Sequence, residues 1–237
     1  MKTRSTGLAL WLAACAAFIT APRASAQEPD AGRITEQDKQ VFKDIKETIA
    51  KQREAAEMKD LQIQAVMSLR QIGLAMFEFE SEYGEFPCER TAGEVKKNSG
   101  TAAEVKAATS NDCFFQLMAA GIVDGDRFFS IGKPAAPPQG EGKMPGKLRK
   151  CSFSYFTGMN AAGHPGRPLV IAPLVKGKPL FDPAVLGGKA VVLRVDNSVQ
   201  TYPIDKDGRV RIDGKDLFDP AQPFWGGKVP AIRWPED

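Results

Sequence analysis

A stretch of about 48 residues without an internal break constrains this chain more than any other feature. Thr35 is followed three residues later by Asp38, an acidic variant of the capping box that opens helices. Neither Pro nor Gly then occurs before Gly73, and the helical pattern continues to Tyr83. The sequence therefore predicts one helix over roughly 35–82, about 70 Å long at 1.5 Å per residue. We expect Gly84 and Pro87 to end it.

The two halves of this predicted helix differ in their apolar patterns. The first half is highly charged and carries a narrow apolar stripe at Val41, Ile45, Ile49, Ala56 and Ile63. A stripe of that width is typical of a coiled-coil seam or of a helix lying along another surface. From Leu61 the apolar face widens, and this half is predicted to be buried in a domain. The residues of the widened face are Ile63, Val66, Met67, Ile72, Leu74, Met76, Phe77 and Phe79.

After the long helix, the pattern predicts one short helix and then an antiparallel meander. Residues 89–112 are predicted to form a loop with one or two weak helical turns, and Asp112 is predicted to cap a second helix over 113–120. Strands are predicted at 151–156, 169–175, 190–195, 198–202 and 209–212. Pro173 favours an edge position for the second of them, and Asp196-Asn197 favours a hairpin turn. The Pro-rich tail with Trp225 and Trp234 is predicted to wrap the surface. The fold class is α+β, with the long helix packed on the sheet.

The first 26 residues have the pattern of a cleavable export signal. Lys2 and Arg4 precede an apolar run of about 15 residues, and Ala24-Ser25-Ala26 precedes the expected cleavage site at Gln27. A retained anchor and a lipidated Cys15 are the alternatives. Removal of this signal leaves 32 − 3 = 29 basic residues against 29 acidic ones, which gives no argument for nucleic-acid binding. We therefore expect an exported protein, periplasmic or released, with a charged helical extension over 27–60 and one globular domain over 61–237.

Three cysteines remain after cleavage: Cys88, Cys113 and Cys151. An oxidising compartment predicts one disulfide and one leftover thiol, and the sequence does not choose among the three pairings. None of the cysteines belongs to a C-x-x-C motif, and His164 is the only histidine. We therefore expect no metal and no cofactor.

Two segments of the chain resemble type II secretion pseudopilins and related pilin-like proteins. Leu69-Arg70-Gln71-Ile72-Gly73, followed by Tyr83-Gly84-Glu85-Phe86-Pro87, is similar to the place in those families where the long helix enters the globular head. The segment Gly188–Val199 resembles their C-terminal hairpin, and the resemblance extends over about 60–205. It implies a pilin-like head. The chain lacks the G-F-T-L-x-E start of pseudopilins, and residues 35–60 are charged, which argues against ordinary filament assembly and against burial in a membrane.

The candidate sites for chemistry each have a simpler interpretation. Some heads of the pseudopilins that this chain resembles bind calcium near their C-terminal end. The segment Asp205-Lys206-Asp207-Gly208, with Asp213 nearby, has a faint similarity to a calcium loop. An Asp-Gly pair is, however, also typical of an ordinary turn. His164 would need a nucleophile such as Ser152, Ser154 or Cys151. The acidic group of Glu78, Glu80, Glu82 and Glu85 is interpreted as a solvated helix end. The sequence thus predicts no catalytic residues.

We expect a non-enzymatic, pseudopilin-like structural or interaction subunit of the cell envelope. Its partners would be other envelope or secretion-system proteins, or a second copy bound through the stripe at Val41, Ile45, Ile49 and Ala56. A soluble ligand- or carbohydrate-binding module is the alternative, with Trp225, Trp234 and Tyr202 as candidate contacts.

Overall fold

The computed structural model describes residues 36–132 and 146–236. The chain divides into two compact units, Met1–Lys46 and Glu47–Asp237. The predicted export signal and its cleavage site lie outside the described residues. Within those residues, no helix combines the length and the apolar character needed to span a membrane.

The predicted long helix, α1, covers Glu36–Tyr83 and has 48 residues. It ends at Gly84, whose φ of 78° is the left-handed conformation that favours glycine and whose N–H donates to the carbonyl of Glu80 (2.7 Å). Every residue from 36 to 57 is exposed. The buried residues of α1 begin at Ala65 and end at Phe79.

Glycine at position 73 allows α1 to approach the sheet closely. A Cβ atom there would overlap Oδ1 of Asn197 and lie 3.0 Å from Cδ1 of Leu193. Asn197 has a φ of 62° at the turn between two strands, and among the described residues its buried Oδ1 has no hydrogen-bond partner. The L-R-Q-I-G segment and the D-N turn, which carry the pilin-like resemblance, thus contact each other.

Two short helices follow α1, where the sequence predicts one. Helix α2 covers Glu89–Ser99, 11 residues of a segment for which the sequence predicts a loop with no more than two weak helical turns, so the prediction underestimated the helix. Its start is fixed by Thr91, whose Oγ1 accepts from the N–H of Cys88 (2.9 Å), and it ends at Gly100. Helix α3 covers Ser110–Ala119 and begins earlier than predicted. Its N-cap is Thr109, and Asp112 is the third helical residue, accepting from the N–H of Thr109 (3.0 Å).

The sheet confirms the α+β fold class. The strands are β1 Ser154–Phe156, β2 Pro168–Ala172, β3 Lys189–Arg194, β4 Val199–Pro203, β5 Arg211–Ile212, β6 Lys215–Asp216 and β7 Ile232–Arg233. Five of them form an antiparallel sheet in the order β4-β3-β2-β1-β7, and β5 pairs with β6 in a separate hairpin. The predicted hairpin turn at Asp196-Asn197 joins β3 to β4.

The strand that contains Leu169 is central, although the sequence predicts an edge position. All five residues of β2 are buried, and β2 pairs with β1 on one side and β3 on the other. Pro173 follows the strand rather than interrupting it, so Pro173 removes no N–H from the ladder.

The tail is part of the fold and does not only wrap the surface. A 3₁₀ helix at Pro223–Trp225 buries Trp225, whose Nε1 donates to the carbonyl of Leu217 (2.6 Å). Strand β7 then pairs with β1 and forms one edge of the sheet. Periodicity gives little signal for these elements because each has only two or three residues.

In this structure Cys88, Cys113 and Cys151 are all free and buried, and the disulfide predicted from the sequence is not seen among them. The Cys151 Sγ accepts from the N–H of Phe153 (3.4 Å), and the Cys113 Sγ lies 3.8 Å from the carbonyl oxygen of Ala107. Burial raises the pKa of the Cys113 thiol and raises that of Cys151 to about 11. Both are therefore protonated core side chains at neutral pH.

Candidate interaction surface on the long helix

Helix α1 carries large apolar side chains that the fold leaves exposed. In the second unit these are Ile49 (44% exposed), Ile63 (50%), Met67 (61%) and Leu74 (57%), with the exposed Ala56 between them. We refer to these five residues as the α1 stripe. The sequence predicts burial for Ile63, Met67 and Leu74, and that prediction is wrong.

The α1 stripe has a regular geometry. Its members are 7, 7, 4 and 7 residues apart, so at about 100° per residue all five lie within a sector of about 40°. The same arithmetic places five of the eight buried residues of α1 within about 40° of the point opposite the stripe. Those residues are Ala65, Leu69, Ile72, Met76 and Phe79. The sheet and the short helices that follow α1, which we call the head, thus pack on one face of α1. The opposite apolar face has no partner among the described residues.

Grooves run along both sides of the ridge that Ile63 and Met67 form. One groove, of about 630 Å³, lies between the ridge and the loop that holds Arg127 and Phe128. The Arg127 guanidinium lies 4.6 Å from the centroid of the Phe128 ring. A second groove, of about 340 Å³, lies on the other side and reaches Thr201 of β4. A ridge between two grooves can be held by the side chains of a helix packed across it.

Within the first unit, α1 exposes three more large apolar side chains. Val41 and Ile45, two residues of the predicted stripe, are 51% and 50% exposed. Phe42 is 66% exposed and was missed by the sequence analysis. The signal that could have found it is its position seven residues before Ile49, which continues the spacing of Ile49, Ala56 and Ile63.

Charged residues differ between the two sides of the α1 stripe. Lys59 and Arg70 lie about 40–60° to one side of its centre, and Asp60 and Glu78 lie about 40° to the other. Arg53 is on the acidic side, at a height where the basic side has the uncharged Gln52. One flank is therefore basic and the other is mainly acidic.

The candidate catalytic residues are not arranged as a catalytic group. His164 is in an exposed loop, where its Nδ1 accepts from the N–H of Gly166 (3.1 Å). The hydroxyl oxygen of Ser152 accepts from the N–H of Ile131 (3.0 Å). Ser154 is buried in β1, and the protonated Cys151 is a poor nucleophile.

The Asp205 segment forms a turn that is held by its own side chain. The Oδ1 atom of Asp205 accepts from the N–H groups of Asp207 (3.0 Å) and Arg209 (2.9 Å), and its Oδ2 accepts from Nε of Arg211 (3.0 Å). These bonds hold the pKa of Asp205 below its usual value, the N–H of Arg209 contributing most. Within the described ranges, no cluster of three or more His, Cys, Asp or Glu residues is suited to hold a metal.

Two of the four acidic residues at the end of α1 hold other segments in place. Glu80 accepts from the N–H of Ala161 (2.9 Å), and Glu85 accepts from both Nε and Nη2 of Arg90. The Arg90 hydrogen bonds lower the pKa of Glu85. Glu78 and Glu82 are exposed, so the interpretation as a solvated helix end applies to only these two.

The aromatic residues proposed for carbohydrate binding do not form a platform. The Trp225 ring is buried and packs against Phe156, with 5.0 Å between ring centroids. Trp234 is half-buried, and Tyr202 is engaged by Arg194 through both a hydrogen bond and a cation–π contact. A sugar ring needs an exposed aromatic face, which Trp225 does not offer.

Comparison with known proteins identifies no relative of this chain. The chain matches no protein-family model, and neither the curated proteins nor the solved structures contain a match.

Proposed function

We propose that this chain is an exported, non-enzymatic, pilin-like subunit of the cell envelope that binds another protein through the α1 stripe. The main support for the proposal is that α1 has two apolar faces, which lie on opposite sides of the helix. The head covers one face, and the other presents four large side chains that are between 44% and 61% exposed. Apolar residues lined up on the exposed face of a helix are typical of a protein-interaction surface.

The magnitude of this surface limits how it can bind. Complete burial of four side chains that are half exposed is worth about 3–6 kcal/mol in total. Association costs about 4–15 kcal/mol in lost translational and rotational freedom. The stripe therefore needs contributions from its charged flanks and from the two grooves, which favours a long partner helix over a short peptide.

Pilin-like architecture is supported by the packing of Gly73 on the Asn197 turn, because the two segments that resemble pseudopilins meet there.

Export is supported by the sequence of residues 1–26. The mature protein is expected to begin at Gln27, and N-terminal sequencing of protein from the native envelope tests this. A lipid on Cys15, or a retained Met1, would contradict cleavage at that site.

Site-specific photo-crosslinking in the native envelope tests the interaction surface. A benzophenone amino acid at Met67 is expected to give an adduct of defined mass. The same amino acid at Glu47 is the control, because Glu47 is exposed and lies on the opposite side of α1 from the stripe. Equal adducts from both positions, or none from Met67 in correctly exported protein, would rule out the stripe as the binding surface.

A further inference from the structure

The flanks of the α1 stripe are complementary to each other. Lys59 is on the basic side and Asp60 on the acidic side, at nearly the same height along the helix. In a parallel pair of helices each flank faces the opposite flank of its neighbour, whereas in an antiparallel pair each flank faces its own kind. Flanks of opposite sign therefore favour a parallel partner that carries the same pattern.

An in-register parallel pair avoids contacts between like charges at the levels of Lys59, Arg53 and Arg70. Lys59 of each copy would face Asp60 of the other, and this contact occurs twice by symmetry. Arg53 would face Gln52, and Arg70 would face Gln71, so no like charges meet at these levels.

An antiparallel pair places like charges together. The alignment that sets Ile49 beside Leu74 also sets Ala56 beside Met67 and position 60 beside position 63. The two Asp60 carboxylates would then lie within about one turn of each other on the same flank.

From these observations we propose that the partner is a second copy of this chain, with the two α1 stripes side by side, parallel and in register. The proposal rests on the proposed function, since it names the occupant of the same surface. Each apolar residue of the stripe would meet its own counterpart. The face of α1 that the head covers would point away from the neighbouring helix.

Sedimentation equilibrium of the full mature chain tests whether the pair forms. A concentration-dependent dimer is expected. Ala56→Asp should raise its dissociation constant at least about tenfold, because two carboxylates would meet at the centre of the interface. Ala50→Asp is the matched control: Ala50 is also exposed on the same helix but lies about 120° from the centre of the stripe, so little change is expected.

The orientation is tested by single cysteines and by a charge exchange. Ala56→Cys and Leu74→Cys should each form a disulfide with itself, since only a parallel in-register pair brings both positions together. The native cysteines are buried and do not compete. Lys59→Glu and Asp60→Lys should each weaken the dimer about three- to tenfold, and the double exchange should restore it.

Ala56→Ile gives a test in the opposite direction. In the parallel pair it fills the gap between two alanines, so the dimer should become about tenfold tighter. In the antiparallel alignment it would crowd Met67 and weaken the dimer. Weakening by Ala56→Ile, or cross-linking only between Ile49→Cys and Leu74→Cys, would overturn the parallel arrangement.

A mature chain that remains monomeric at all concentrations would overturn self-association. If Met67 still forms an adduct with another protein in the envelope, the stripe binds a different partner and the proposed function stands. If neither a dimer nor an adduct forms, both proposals fail.

Discussion

Met67 and Met76 are the same residue type on the same helix, nine positions apart, yet their environments are opposite. Met67 is 61% exposed between two grooves, whereas Met76 is completely buried in the core. The contrast shows that the apolar residues of α1 serve two purposes. One face holds the head together, and the other leaves apolar surface available for a partner.

The strongest way to break this comparison is to place the same charge at both positions. Met76→Asp should prevent the head from folding, because it removes a buried side chain and puts a carboxylate in the core, a loss of about 3–5 kcal/mol or more. Met67→Asp should change stability by no more than about 0.5 kcal/mol while weakening association. Chemical denaturation and sedimentation of both variants provide the measurements. Similar destabilisation by the two substitutions would show that the faces are not distinct.

The cysteines sharpen the comparison between core and surface. Because burial raises the pKa of Cys151 to about 11, only about one thiol in a thousand is ionised at pH 8, and reaction with a thiol reagent requires the thiolate. The native protein should react at least about a hundredfold more slowly than an exposed Glu47→Cys control. Raising the pH toward 11 should increase the reactivity of Cys151.

After unfolding without a reductant, all three native thiols should react. If only one reacts, a disulfide joins the other two and the thiols of the exported protein are not free. Counting the modified cysteines by mass spectrometry decides between these results.

Two helical glycines differ in the space around them, since Gly73 packs closely against Asn197 and Gly93 faces open space. Gly73→Ala should destabilise the head by about 1–3 kcal/mol, because its methyl group would overlap Asn197. Asn197→Gly should recover much of this loss, since glycine removes the obstructing side chain and accepts a φ of 62°. The control is Gly93→Ala on α2, where a Cβ meets nothing within 4 Å, and there a gain of about 0.5–1 kcal/mol is expected. The measurements are thermal melts of Gly73→Ala, of Gly73→Ala combined with Asn197→Gly, and of Gly93→Ala. An unchanged melting temperature for Gly73→Ala would contradict this packing.

The smallest effect on stability is expected from shortening α1. Residues 36–56 are all exposed, so a chain that begins at Glu57 should keep its free energy of unfolding within about 0.5 kcal/mol. It should nevertheless associate more weakly, because Ile49 and Ala56 are lost. A large drop in melting temperature would mean that the first half of α1 contributes to the core.

The sequence determined those elements whose signals are local. The long helix was predicted within one residue at each end, because its uninterrupted helical pattern and the glycine after Tyr83 need no tertiary information. The α+β class and the turn at Asp196-Asn197 were predicted for the same reason. The length of helix α2 was underestimated because its buried face is small, with only Thr91, Ala92 and Val95 buried.

Tertiary structure alone decided which apolar residues are covered. Ile63, Met67 and Leu74 have the same chemistry as Ile72, Met76 and Phe79, and periodicity does not show that only one sector of a wide apolar face meets the head. The central position of β2 and the pairing of β7 with β1 were likewise beyond sequence analysis, because they join segments far apart in the chain. Local sequence patterns determine the conformation of the backbone, whereas the burial of a side chain depends on which distant segment packs against it and excludes water.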